Sequence, residues 1–225
     1  MPIFWLFLTF LLYLLARWLQ RKTGWLLLHP VLLPVAAIIA LLLAGVPSVE
    51  EYRQGSRPLV WLLSPAVVAL GVKLHEQSQA LRQHLRPVLL AVATGAFTGV
   101  VTGLGIAWLS GAEETVVRTL AARSVTTPVG MAIAGANGGL PPLAAGVSIS
   151  VGILGAVFGY SLLKLFKVKH PLARGLAIGT SSHGIGTARA MEQNPLEGTF
   201  SGLAFGLAGL FTAALVPLVL WVIGI

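Results

Sequence analysis

Residues 174–194 read RGLAIGTSSHGIGTARAMEQN, and the reading of this stretch decides the fold. It sets glycines, hydroxyls, one histidine and one arginine among long apolar runs. Irregular backbone at membrane depth persists only where protein or a water-filled cavity satisfies its polar groups. Ionisable side chains at that depth mark functional positions. Residues 123–142, RSVTTPVGMAIAGANGGLPP, have the same character. Two such interruptions in corresponding halves are the sequence pattern of a transporter's substrate site.

Working outward, the 225 residues are 56% hydrophobic and 10% charged, whereas soluble domains carry about 25% charged residues. The chain is therefore read as an all-α polytopic membrane protein. Its apolar runs approach the ~20 residues of a spanning helix and exceed the ~10 of a barrel strand. The formal charge of +8 sits in short loops, which reads as a topology signal and not as a nucleic-acid surface. There is no cysteine and no aspartate, which removes disulfide and thiol chemistry and disfavours a paired-carboxylate enzyme. No two histidines have ligand-like spacing, so no metal and no cofactor is expected. Residues 2–16 lack a basic lead and a cleavage motif, and are read as a retained first helix.

About six full spanning helices are predicted, near 2–19, 25–45, 58–80, 87–109, 142–166 and 199–223. Basic loops alternate with neutral ones. Arg17, Arg21 and Lys22, then Lys73, Arg82 and Arg86, then Lys164, Lys167, Lys169 and Arg174 fall on one side. The positive-inside rule makes that side cytoplasmic and the N-terminus extracytoplasmic, in a bacterial inner membrane. The crossing count then requires both interrupted stretches to enter and return, from opposite sides.

SVTTPVGMAIA (124–134) resembles TSSHGIGTARA (180–190), and each precedes a Gly-rich helix, with Gly152, Gly155 and Gly159 in one and Gly202, Gly206 and Gly209 in the other. Two units that each add one crossing must be inverted relative to each other. The expected organisation is one transmembrane domain, 1–225. It comprises N-terminal helices 1–110 and inverted repeat units 111–170 and 171–225. Gly95, Gly99 and Gly103 share a helix face and predict close helix packing. Ser64-Pro65 is a further break, read mainly as a kink. Most tryptophans fall near segment ends, as interfacial anchors do.

SVTTPVGMAI, SSHGIGTARAMEQNPLEGTFSGLA and the glycine-spaced helix before PLARGLAIGT closely resemble the LrgB/CidB family of bacterial membrane proteins. The match is strongest from Arg118 to Pro217. The resemblance implies a small LrgA/CidA-type membrane partner and one of two functions. One is holin/antiholin-like control of murein hydrolases and lysis. The other is transport of small monocarboxylates such as pyruvate, lactate or glycolate, as in the related plastid translocator. Ser64 and Arg123 stand where the family pattern has Gly and Lys.

A small carboxylate needs a charge partner and several donors. Arginine suits the first role because its fork can grip a carboxylate bidentately. Arg189 is the candidate clamp, against the alternative that it pairs with Glu192. Arg123 is read as interfacial. Ser124, Thr126, Thr127, Ser181, Ser182 and Thr187 are candidate hydroxyl ligands, with Pro128, Asn137 and Gly184 shaping the breaks. His183 titrates near neutrality and is the candidate proton-coupling residue, against a plain hydrogen-bonding role. Ser182 beside His183 is a poor nucleophile–base geometry, so a membrane enzyme is disfavoured. Expected partners are the carboxylate, the lipid bilayer, an LrgA/CidA-type protein and, in a homo-oligomer, further copies of the chain.

Overall fold

The computed structural model describes residues 2–25, 28, 30–62, 65, 75 and 84–225. The predicted helix 58–80 lies mostly outside the described residues, as do Ser64, Lys73, Arg82 and His29. The chain divides into two compact units, Met1–Val72 and Lys73–Ile225.

In the first unit, α1 (Pro2–Thr23) is an apolar helix long enough to span, and it continues past Arg17 to Arg21 and Lys22. α2 (Leu32–Leu43) has 12 residues, about 18 Å of helix at 1.5 Å per residue. That is too short for a hydrocarbon core of about 30 Å. The predicted span 25–45 is corrected accordingly: Gly24 at φ 69° and Gly45 at φ 77° bracket it in left-handed turns. α3 (Val49–Gly55) starts with a capping box in which Ser48 and Glu51 satisfy each other's backbone N–H. α4 (Arg57–Trp61) follows it.

The second unit holds α5 (Leu85–Leu109), α6 (Glu114–Leu120), α7 (Thr127–Ala136), α8 (Pro141–Leu165), α9 (Pro171–Gln193) and α10 (Pro195–Ile223). Four of these, α7 to α10, begin with proline in the first turn, where the missing N–H costs nothing. Asn194 caps α10 by accepting from Leu196 N at 2.8 Å. Among the described residues four helices are long and apolar enough to cross a membrane, α1, α5, α8 and α10. Of the other two predicted spans, 58–80 lies mostly outside the described residues.

Both interrupted stretches are helix–break–helix segments. In the first, turns at 121–126 separate α6 from α7. Arg118 Nη1 donates to Asn137 O at 3.0 Å, and Leu140 N to Thr119 Oγ1 at 2.8 Å. α6 therefore lies against the far end of α7, and the chain doubles back. In the second, His183 sits at φ 41°, ψ −136° inside α9. Ile178 and Gly186 would be about 12 Å apart on a continuous helix. Yet a Cβ on Gly186 would lie 3.0 Å from Ile178 Cγ2. α9 doubles back as well.

Glycines set the direction of the remaining packing. Gly130 faces Ser148 and Gly135 faces Pro141, so α7 and α8 are antiparallel. Gly159 faces Ile178, Gly155 faces Ser182 and Gly152 faces His183, so α8 and the first half of α9 are also antiparallel. Gly175 and Gly179 press on the backbone of Glu197 and Ser201, which runs parallel to them. On α5, Gly95 meets Thr180, Gly99 meets Ser124 and Gly103 meets Leu120 and Arg123. The close-packing role expected for that glycine row holds. Gly206 faces open space, so the α10 glycines do not reproduce the packing of the α8 set. Apolar packing completes the unit, with Val100, Leu104, Val117, Val125 and Val216 in one cluster and Val88, Val92, Leu176 and Phe200 in another.

Candidate functional site

The two breaks open onto one cleft. Its volume is about 1150 Å³, and its polar lining comes from three places. The first break contributes Arg123 and Ser124. The second contributes Thr180, Ser181 and Ser182. α5 contributes Thr94, Thr98 and Thr102, one per turn on a single face. Apolar side chains of α5, α8 and α9 such as Leu90, Leu154, Phe158 and Leu172 form the rest of the wall.

The hydroxyl protons are largely committed. Thr94 donates to Leu90 O at 2.7 Å, Thr98 to Thr94 O at 2.8 Å and Thr102 to Thr98 O at 2.6 Å. Ser181 donates to Ala177 O at 2.8 Å and lies 3.0 Å from Ser182 Oγ. What remains for an incoming molecule is chiefly oxygen lone pairs, plus the guanidinium of Arg123. Arg123 Nη2 donates to Thr102 Oγ1 at 2.7 Å, and its buried Nε has no hydrogen-bond partner. This Nε packs against Gly103 of α5; the guanidinium as a whole gives the cleft a positive charge, which favours an anion because charge-assisted hydrogen bonds are the stronger ones.

His183 lies behind the cleft wall. It is buried, and its Nε2 is 2.9 Å from Ser148 O. A carbonyl only accepts, so Nε2 carries the proton. Ser148 Oγ, fully buried, has no hydrogen-bond partner. Thr187 is also buried, donating to His183 O and sharing a 2.8 Å hydrogen bond with Ser201 Oγ. It steadies the break and does not face the cleft. Ser182 bonds to Ser181 and His183 to Ser148, so these neighbours form no nucleophile–base pair. Among the described residues no cluster of three His, Cys, Asp or Glu could hold a metal ion.

The other predicted residues are placed elsewhere. Thr126 and Pro128 start α7, with Thr127 its first residue, and none of the three lines the cleft. Gly184 follows the break, partly buried and with open space beside it. Asn137 ends α7, its Nδ2 donating to Ile133 O at 2.7 Å and its carbonyl taken by Arg118. Arg189 takes the second of its two expected places, beside Glu192. Its Nη1 donates to Glu192 Oε2 at 3.0 Å on the same helical face, and it does not line the cleft. An arginine three residues before a glutamate on one helix finds its partner locally. Arg123, expected at the interface, reaches the cleft instead, because the turns at 121–126 carry it inward.

Two further features were not anticipated. The Thr94-Thr98-Thr102 row was visible as a period-four pattern beside the glycines. Glu197, in the first turn of α10, is buried, accepting from Tyr160 OH at 2.8 Å with Arg174 Nε 3.4 Å away.

The profile of the LrgB-like family matches residues 9–222. The chain belongs to the LrgB-like family. It is 33% identical to the uncharacterized protein YwbG of Bacillus subtilis over 96% of each chain. An uncharacterized protein of Haemophilus influenzae is 32% identical, over 95% of this chain and 92% of its own. The antiholin-like protein LrgB of Bacillus mycoides is 28% identical, over 91% of this chain and 89% of its own. No solved structure matches the chain.

Proposed function

We propose that this LrgB-like protein is an antiholin-like component of the bacterial inner membrane. In this reading it works beside a small LrgA-type protein, and its molecular activity is the binding and passage of a small carboxylate. The cellular half draws on the Bacillus relatives that carry the antiholin-like name. It takes in control of murein hydrolases and of lysis.

The molecular half rests on one observation: both breaks place Arg123, Ser124, Ser181 and Ser182 on one cleft. A lysis regulator acting through bulk insertion has no use for such a cleft. The opposed directions of the packing favour an inverted repeat. α8 runs antiparallel both to α7 and to the first half of α9, so the two hairpins approach α8 from opposite ends. That is the arrangement in which a midplane site alternates between two sides. In this scheme Arg123 grips the carboxylate, the Ser124 hydroxyl donates to it, and Ser181 and Ser182 form the facing wall. His183 joins the moving tip to α8.

Uptake of labelled pyruvate, glycolate and lactate into proteoliposomes, with and without a pH gradient, tests the molecular half. Autolysis rates in cells expressing the chain with and without its LrgA-type partner test the cellular half. Uptake of none of the three acids, together with altered autolysis, leaves the antiholin-like role alone.

A further inference from the structure

The far end of α8 carries a second concavity, of about 480 Å³, lined by Tyr160, Lys164, Lys167, Lys169, Arg174 and Gln193, among others. We propose that it binds a phosphate-bearing anion, either the headgroup of an anionic phospholipid or a free phosphate ester.

Four cationic side chains line this hollow, none of its described lining residues is acidic, and the carboxylate of Glu197 lies beside it. That carboxylate is buried and already engaged, by Tyr160 OH at 2.8 Å and by Arg174 at 3.4 Å. The Arg174 guanidinium also lies over the Tyr160 ring, 5.0 Å from its centroid. Glu197 and Tyr160 thus hold Arg174 in place as the floor of the hollow. Among the described residues no carboxylate lies within salt-bridge distance of Lys164, Lys167 or Lys169. Their charge is available to a ligand.

The backbone adds a second argument. Lys167 adopts φ 55°, the left-handed region that glycine commonly fills at the end of a helix. Here Lys167 N bonds to Lys164 O at 3.0 Å and Val168 N to Leu163 O at 2.9 Å, closing α8. A lysine in this conformation costs stability relative to glycine. A strained non-glycine residue in a charged hollow points to use of its side chain. The hollow lies where a spanning helix ends, on the face that the basic loops predict to be cytoplasmic. Headgroup phosphates gather at that level, and basic pockets between spanning helices bind anionic headgroups there.

The test uses the full chain purified in neutral detergent, with bound lipid counted by native mass spectrometry. Phosphatidylglycerol is expected to bind at least about tenfold more tightly than phosphatidylcholine, since each nearby lysine contributes about fivefold. The triple substitution Lys164→Gln, Lys167→Gln, Lys169→Gln should abolish the preference. The corresponding triple change to Arg should keep it, and Arg21→Gln with Lys22→Gln, on α1, should not affect it. Glycerol 1-phosphate and inorganic phosphate distinguish the sources. Displacement of the lipid by them identifies a free phosphate ester as a competent occupant; lipid binding without displacement identifies the headgroup.

Lys167→Gly separates binding from folding. It should raise the melting temperature while weakening phosphatidylglycerol binding. Unchanged binding in both the triple Gln variant and Lys167→Gly overturns the proposal. So does a wild-type protein that prefers neither phosphatidylglycerol nor glycerol 1-phosphate.

Discussion

His183 Nε2 donates to the backbone carbonyl of Ser148 across 2.9 Å, so the break in α9 is pinned to the middle of α8. Ser148 also faces Gly130 of α7. A single turn of α8 is thus the place where both broken segments touch a common helix.

That bond gives the first prediction. His183→Ala removes this second hydrogen bond to a helical carbonyl, which costs about 0.5–1.5 kcal/mol. It should lower the unfolding temperature in detergent. His183→Gln retains an N–H donor and should recover most of the loss. Equal loss in both variants would mean that ring packing, not the hydrogen bond, holds the break.

The glycine contacts give a matched pair. A Cβ at Gly155 would overlap the Ser182 side chain, and overpacking of this kind costs about 1–3 kcal/mol. At Gly206 the same atom meets open space, and alanine in a helix interior gains roughly 0.5–1 kcal/mol over glycine. Gly155→Ala should therefore destabilise and Gly206→Ala stabilise, read as opposite shifts in thermal unfolding.

The two arginines should separate cleanly. Arg123→Gln removes a charge-assisted contact worth about 1.5–3 kcal/mol, so carboxylate binding should weaken at least about tenfold. Arg189→Gln breaks a helical pair whose side chains are 28% and 39% exposed, a kind that contributes about 0–1 kcal/mol. It should leave binding nearly unchanged. The reverse order, measured by titration with pyruvate, would return the clamp to Arg189.

Gradient coupling supplies a functional test of His183. If its ring carries the coupled proton, His183→Gln should abolish pH-driven accumulation and spare counterflow exchange, because glutamine does not titrate near neutrality. Accumulation that survives in this variant would confine His183 to holding Ser148.

The membrane class, the four long helices and the two breaks were legible because hydropathy and glycine spacing are local properties of the chain. The break at His183 could be narrowed to 174–194 but not to one residue. A non-glycine residue at positive φ is chosen by what surrounds it, here Ser148 and Thr187. The pairing of Arg189 with Glu192 was legible from their spacing. The position of Arg123 was not, because it depends on how the turns at 121–126 carry it to the cleft. The burial of Glu197 was not legible, because it depends on Tyr160 and Arg174, 37 and 23 positions earlier. The α2 segment was overcounted as a span because composition alone does not weigh the left-handed turns at Gly24 and Gly45.

In the proposed function both breaks form one anion-binding cleft. This chain has no cysteine, so Ser124→Cys and Ser181→Cys can each be made alone and alkylated with a small thiol reagent in proteoliposomes. Pyruvate, glycolate or lactate should slow alkylation at both positions with the same concentration dependence, and Arg123→Gln should remove the protection at both. Protection at one position only, or protection that persists without Arg123, would rule out a shared anion site.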